Sequence, residues 1–458
     1  MAEKTISINN PQVGMGGSYA TGFEEIRGLN ITDTPGVCYP NKALVKENDA
    51  DIDALINLFK GYDNFAWGFS GSELWFQSEE DSWGMKTGHD ANTIMAGFAW
   101  KDYTGIVQNG QISFYNSIHV YDNKITFFDT GTVYDVIVAS DSKVYLLNYN
   151  FLQSLEEDIG ETFDPADSRT YTPNKSALDF PEDQNPHTLL ENDGKLWVVC
   201  DNVIFPWIKG EASYETPINT NRTINQAIAY NSTIYLQIGN KGEWYYINGD
   251  TIVSMNVRVP QHILANGAIT IYKPFMYDGL IHFGMGGAIG VNPQGVWTLN
   301  PFTGALNMAY LMSVGDDGTT TEYKFGHMTT DSDDGLLLTP WEDADGTSSY
   351  GVDRIGTTPY TGDKTFLVSR FLPVSRKLNA KAVDQLAIWL DSVLDSNSSV
   401  KVYYRKLRSD SWVQITRLSM TESDSHKSIT NPITSFTSGQ FKIVLNYNAK
   451  FLLLQYDI

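Results

Sequence analysis

From Phe65 onward the chain alternates large apolar and polar residues in short runs, each entered through a turn rich in Gly, Asn, Asp or Ser. Period-two alternation bounded by turn dipeptides is the pattern of half-buried antiparallel strands. The best-formed example is Tyr277–Pro301: Asp278-Gly279 opens one strand, a glycine-rich link follows, and Gly295-Val-Trp-Thr-Leu stops at Asn300-Pro301. Looser copies place the first apolar residue after a turn at Leu74, Ile112, Val144, Leu196, Ile234, Leu280 and Leu336. Their intervals scatter around the roughly 40 to 50 residues of a four-stranded propeller blade. A small sheet cannot bury both faces alone, whereas a closed ring of sheets buries every inner face. The pattern predicts an all-β protein whose centre is an irregular β-propeller of about six or seven blades over 63–350. A large sandwich containing many Asn/Asp-Gly hairpins is the competing fold, because no strict Trp-Asp or Gly-His signature marks the copies.

The pattern changes at both ends. Residues 1–62 are polar and glycine-rich, with Gly14-Met-Gly-Gly-Ser and Thr34-Pro-Gly, and read as an extended arm. Within it, Ile52, Leu55, Ile56 and Phe59 recur at helical spacing between Asn48 and Gly61, which predicts one short amphipathic helix. Residues 150–188 are acidic, proline-bearing and poor in alternation, so they read as a long loop inserted into one blade. Residues 350–365 resemble a linker. Beyond it, 366–458 shows clean alternation at Leu386/Ile388/Leu390, Val400/Val402/Tyr404, Phe441/Ile443/Leu445 and Phe451/Leu453. That segment predicts a C-terminal antiparallel β-sandwich.

Composition supports this reading and narrows the function. The chain has 458 residues, too many for one core of about 150. Aromatic residues reach 13%, which suits many short strands. The net charge of −22 repels polyanions, so sequence-specific nucleic-acid recognition is not expected. An acidic wall still suits a channel through which DNA slides without sticking. The two cysteines, Cys38 and Cys200, keep no ligand spacing and read as buried free thiols. No window reaches transmembrane length, so membrane insertion is not expected. If the first methionine is the native start, the missing basic and apolar leader places synthesis in the cytoplasm.

The search for chemistry yields no catalytic, cofactor-binding or metal residue. No Gly-x-Ser-x-Gly elbow, phosphate loop, dinucleotide fingerprint or His-Glu-x-x-His is present. The seven histidines, among them His89, His119, His282 and His327, are scattered along the units and read as packed or surface residues. Asp331-Ser-Asp-Asp-Gly and Glu342-Asp-Ala-Asp-Gly offer oxygens for calcium but lack EF-hand spacing, and Asp-Gly turns explain both. A carboxylate pair on a propeller axis would suit glycoside hydrolysis at roughly 5 to 9.5 Å separation. Trp67, Trp83 and Trp341 sit near turns where they could stack on sugars or fill gaps between blades.

The order of parts resembles tailed-bacteriophage structural proteins. The arm carries Gly28-Leu-Asn-Ile-Thr-Asp-Thr-Pro-Gly-Val, a loose propeller follows, and the last sandwich contains Val400-Lys-Val-Tyr-Tyr-Arg and Ser411-Trp-Val-Gln-Ile. The resemblance implies a non-enzymatic virion component of the tail, its nozzle, or the head–tail connection. It would be made in the host cytoplasm, without a cofactor, and would assemble around the DNA-exit axis with other virion proteins and copies of itself. The alternative is a carbohydrate-binding or glycan-cleaving propeller, for which glycan contact is the partner. A third reading, a cell-surface adhesion propeller, is disfavoured by the missing export signal.

Overall fold

The computed structural model describes residues 5–8, 14–15, 23–34, 36–47, 52, 54–79, 82–89, 91–116, 119–126, 132–155, 164–168, 174–260, 269–287, 294–314, 322–331, 334–343, 349–360, 364–373, 381–436 and 438–457. Its centre is a ring of antiparallel sheets, numbered here as blades 1 to 7 in chain order. Blades 1 to 5 are four-stranded meanders over 57–86, 94–126, 133–179, 186–219 and 224–257. Blade 6 covers 269–310, and blade 7 covers 323–359. The chain is therefore a β-propeller joined to a β-sandwich.

Seven apolar clusters fill the gaps between successive blades. Trp67 and Phe69 meet Ile106 and Tyr115 between blades 1 and 2. Phe114 meets Leu146 between blades 2 and 3, Tyr145 meets Trp207 between 3 and 4, and Val199 meets Leu236 between 4 and 5. Trp244 lies against Phe283 between blades 5 and 6, and Val296 against Phe325 between 6 and 7. Ile56 and Leu58 of blade 1 then pack on Leu338 and Val352 of blade 7, which closes the ring. Each strand alternates one face toward each neighbour, which is why the period-two pattern has large residues on both faces.

Closure depends on the N-terminal segment. Strand Lys42–Lys46 is the outermost strand of blade 7, pairing Lys46 with Asp353, Val45 with Arg354 and Leu44 with Ile355. Directly after it, Glu47 is buried and ion-paired with Arg354 at 3.0 Å. The same carboxylate accepts from Trp83 Nε1 at 2.9 Å and Gln77 Nε2 at 3.2 Å, both on blade 1. The first and last blades are thus tied through one side chain.

The sandwich is continuous with the propeller. One of its sheets orders Thr5–Ile8, Phe451–Asp457, Lys381–Leu390 and His426–Phe436. The other contains Phe366–Ser369, Ser438–Asn446, Ser399–Arg405 and Val413–Gln414. Strand Phe23–Arg27 lies antiparallel to Phe366–Ser369 and meets Leu306–Tyr310 of blade 6 in parallel through Arg27 and Met308, so blade 6 and this sheet form one eleven-stranded sheet. A single core runs from Trp244 and Phe283 through Trp297 and Met308 to Leu367, Phe441 and Tyr456.

Four expectations need correction. The helix over Asn48–Gly61 is absent from its described residues: Asn57–Lys60 is the first strand of blade 1, with Leu58 facing blade 7 and Phe59 facing blade 2. The spacing of Ile52, Leu55, Ile56 and Phe59 fits a helix, but pairing with Ala66–Phe69 and burial of both faces override it. The inserted loop over 150–188 holds strands Phe151–Leu155, Asn174–Asp179 and the start of Pro186–Asn192, leaving a shorter link whose 156–163 and 169–173 lie outside the described residues. The linker over 350–365 is mostly strand Ser349–Pro359, the partner of the closing strand. The described residues of the arm over 1–62 are largely extended, but their strands belong to the sandwich, to blades 1, 6 and 7, and to a small sheet of Leu29–Asn30 with Tyr39–Pro40.

Candidate functional site

The first strands of blades 2 to 5 share a device that takes one side chain out of the ladder. Each carries one extra residue relative to its partner: Met95, Tyr134, His187 and Asn225. Blades 6 and 7 break at the same level. Three residues, Tyr272 to Pro274, lie between paired Ile271 and Phe275, opposite two on the next strand. Gly326 to Met328 do the same between Phe325 and Thr329. Such bulges leave the ladder and re-aim a side chain, here Lys273 and His327 at equivalent positions. Pro274 has no N–H to give the ladder, which favours the break.

Lys273 Nζ reaches Asp135 Oδ1 at 2.9 Å. Blades 6 and 3 are not neighbours in the ring, so the pair spans the axis. Asp135 is buried, and its Oδ2 accepts the backbone N–H of Leu189 on blade 4 at 2.9 Å. Burial pushes the His327 imidazole down to about 3, with the nearby Lys273 charge adding to the effect. His187 is lowered as well, chiefly by burial. Both rings are therefore neutral at physiological pH.

Asp135, Lys273 and His327 line a cavity of about 140 Å³, walled by residues of blades 1, 2, 3, 6 and 7; His187 lies outside its wall. Tyr134, 42% exposed, is part of its wall. A second cavity of about 30 Å³ lies beside His282, Asp33 and Tyr310 and has room for about one water. His282 is enclosed, its Nδ1 lies 3.2 Å from Leu280 O, and burial pushes it down to about 4.

The side chains considered from sequence lie apart from one another. His89 Nε2 contacts Ser72 O at 2.9 Å on the surface, and His119 lies against Tyr121. Asp331 Oδ1 accepts the N–H of Leu336, and Glu342 pairs with Lys324 at 3.3 Å. Among the described residues no group of three or more His, Cys, Asp or Glu is arranged to hold a metal ion. Trp67 and Trp341 are buried between blades, Trp341 donating to Asp353 at 2.7 Å. Cys38 and Cys200 are buried free thiols, as expected, and burial pushes Cys200 up to about 12. The axial pair of Asp135 and Lys273 carried no signal in the sequence, because a one-residue shift in register leaves no compositional mark. No helix among the described residues is long and apolar enough to cross a membrane.

No protein-family model matches this sequence, and no curated protein matches it. Among solved structures, the extracellular domain of a one component system from B. thetaiotaomicron is 12% identical at a TM-score of 0.49. The match covers 96% of this chain and 62% of that one, so the present chain spans less than two thirds of its length. A virginiamycin B lyase from Staphylococcus aureus is 12% identical over 68% of this chain and 98% of its own, at a TM-score of 0.45. A WD40 domain from Neurospora crassa is 7% identical over 70% of this chain and 97% of its own, at 0.46. The propeller itself is defined by the strand pairing and the seven interfaces described above.

Proposed function

We propose that this chain is a non-enzymatic structural component of a tailed-phage virion, in the tail or the head–tail connection. The observation that supports it is the eleven-stranded sheet and shared core that weld propeller and sandwich into one body. A part whose two halves share a sheet and a core transmits position, which is what a spacer in a stacked assembly needs. The net charge of −22 suits a wall that passing DNA does not grip. Assembly with copies of itself and with other virion proteins then proceeds by rigid-body addition.

Glycan cleavage has less support from the axis. Asp135 is the one carboxylate among the residues lining the axial cavity, and Lys273 neutralises it, whereas glycoside hydrolysis needs a second carboxyl at roughly 5 to 9.5 Å. Mass spectrometry of purified particles from the encoding phage tests the proposal. The chain is expected at a fixed ratio to the major structural proteins. Its absence from the particles, or depolymerisation of a polysaccharide by the purified chain, would overturn the reading.

A further inference from the structure

The axial cavity has the dimensions and lining of a binding site. Its volume of about 140 Å³ is near the roughly 150 Å³ of an engineered apolar cavity that takes up benzene. Phe59, Phe69, Met95 and Met328 supply rings and thioethers from blades 1, 2 and 7. Sulfur and aromatic edges both favour an aromatic guest. Two polar side chains interrupt this wall. His327 is partly buried on the cavity wall, and its ring makes no hydrogen bond to any described residue: only its backbone N–H and carbonyl are engaged, with Asn57 and Leu58. Lys273 gives one N–H to Asp135, and its side chain stays 36% exposed.

The charge balance selects the guest. Asp135 already neutralises Lys273, so an anionic guest would bring an unpaired charge into the cavity and a cationic one would face the ammonium. A neutral imidazole has one nitrogen that donates and one that accepts. A hydroxyl can answer either. We propose that this cavity binds a small neutral phenol, its ring among Phe59, Phe69, Met95 and Met328 and its hydroxyl at His327, with Lys273 as a further donor. This site is independent of the virion reading.

The test uses the full chain, labelled with ¹³C-methyl methionine and titrated with phenol and with toluene, the same size without the hydroxyl. Phenol is expected to shift the Met95 and Met328 methyls by ring current, leave methionines distant from the axis unmoved, and bind more tightly than the more hydrophobic toluene. In His327→Phe, phenol affinity should fall at least tenfold while toluene affinity holds; His327→Gln, which keeps a donor and an acceptor, should stay within a few-fold of the unmodified chain. No shift of the two methyls at about 30 mM phenol, half-saturation for seven heavy atoms at the low end of ligand efficiency, or toluene binding as tightly as phenol, would overturn the proposal. Equal phenol binding by a folded His327→Phe would do the same. The phenol and toluene comparison needs no substitution, so it decides even if His327→Phe does not fold.

Discussion

Replacing Glu47 with alanine should loosen the ring where its two ends meet. The Glu47 side chain is 1% exposed and faces Arg354, itself 11% exposed, at 3.0 Å. Removing one partner of a buried pair costs about 3 to 5 kcal/mol, because the remaining charge stays desolvated. Asp331 Oδ2 lies 3.8 Å from Arg354 Nη1 and retains part of the compensation, which points to the lower end, about 3 kcal/mol. Trp83 Nε1 and Gln77 Nε2 lose their acceptor in the same step. At about 2.1 cal/mol/K per residue, unfolding of a chain this long carries about 1 kcal/mol/K of entropy, so the melting point should fall by only about 3 °C. Urea denaturation is the better assay, paired with hydrogen exchange at Lys42–Lys46, where protection should drop. Glu47→Leu combined with Arg354→Met should recover most of the loss, since apolar replacements of a buried pair are close to neutral. A single variant that loses less than about 1 kcal/mol, or a double variant as unstable as the sum of its parts, would refute Glu47 as the tie between first and last blades.

Three further outcomes follow from local geometry and titration. In Gly284→Ala the new methyl would lie 2.2 Å from Phe325 Cγ at the interface of blades 6 and 7, so the variant should lose about 1 to 3 kcal/mol in denaturant; an unchanged midpoint would contradict the packing. His282 is held neutral by burial down to about pH 4, against about 6.5 unfolded, so its contribution is complete above pH 6.5 and is lost as pH falls. His282→Phe should therefore reduce the stability loss between pH 6.5 and 5 by about 2 kcal/mol, and an acid limb of unchanged slope would count against it. Asp353, raised to about 6 mainly by burial, works in the opposite sense and favours the fold as pH falls from 6 toward 4, so the comparison is made against the unmodified chain. Cys38 and Cys200 should resist a thiol reagent at pH 8 until the chain is unfolded; rapid labelling of the native protein would contradict their burial.

The sequence carried the blades more clearly than their boundaries. Each of the seven marker residues belongs to a different blade, but Leu74 and Ile112 open third strands, whereas Val144, Leu196, Ile234 and Leu280 open or lie in second strands and Leu336 directly precedes one. Every hairpin in a meander has the same alternation and the same turn residues, so phase within a blade is not encoded locally. Asp278-Gly279 shows the opposite case: with φ of 48° and 72° it forms the tight turn its dipeptide requires, and Tyr277 pairs with Leu280 as expected. The roles of the arm were hidden for another reason. Lys42–Lys46 pairs with a strand some three hundred residues away, and no property of Lys-Ala-Leu-Val-Lys names that partner. The axial residues were least legible, because Lys273 and His327 acquire their place from breaks in register that only the folded ladder reveals.

Expression of 366–458 by itself tests most directly whether propeller and sandwich are one body. In the whole chain this segment receives strand Thr5–Ile8 on one sheet and Phe23–Arg27 on the other, and it shares its core with Trp297 and Met308. The isolated segment is expected to give the collapsed amide spectrum of an unfolded or aggregating chain, while the full chain unfolds with coincident loss of exchange protection at Leu306–Tyr310 and Ser438–Asn446. A well-dispersed spectrum and a cooperative transition from the isolated segment would contradict the shared core, and with it the rigid spacer.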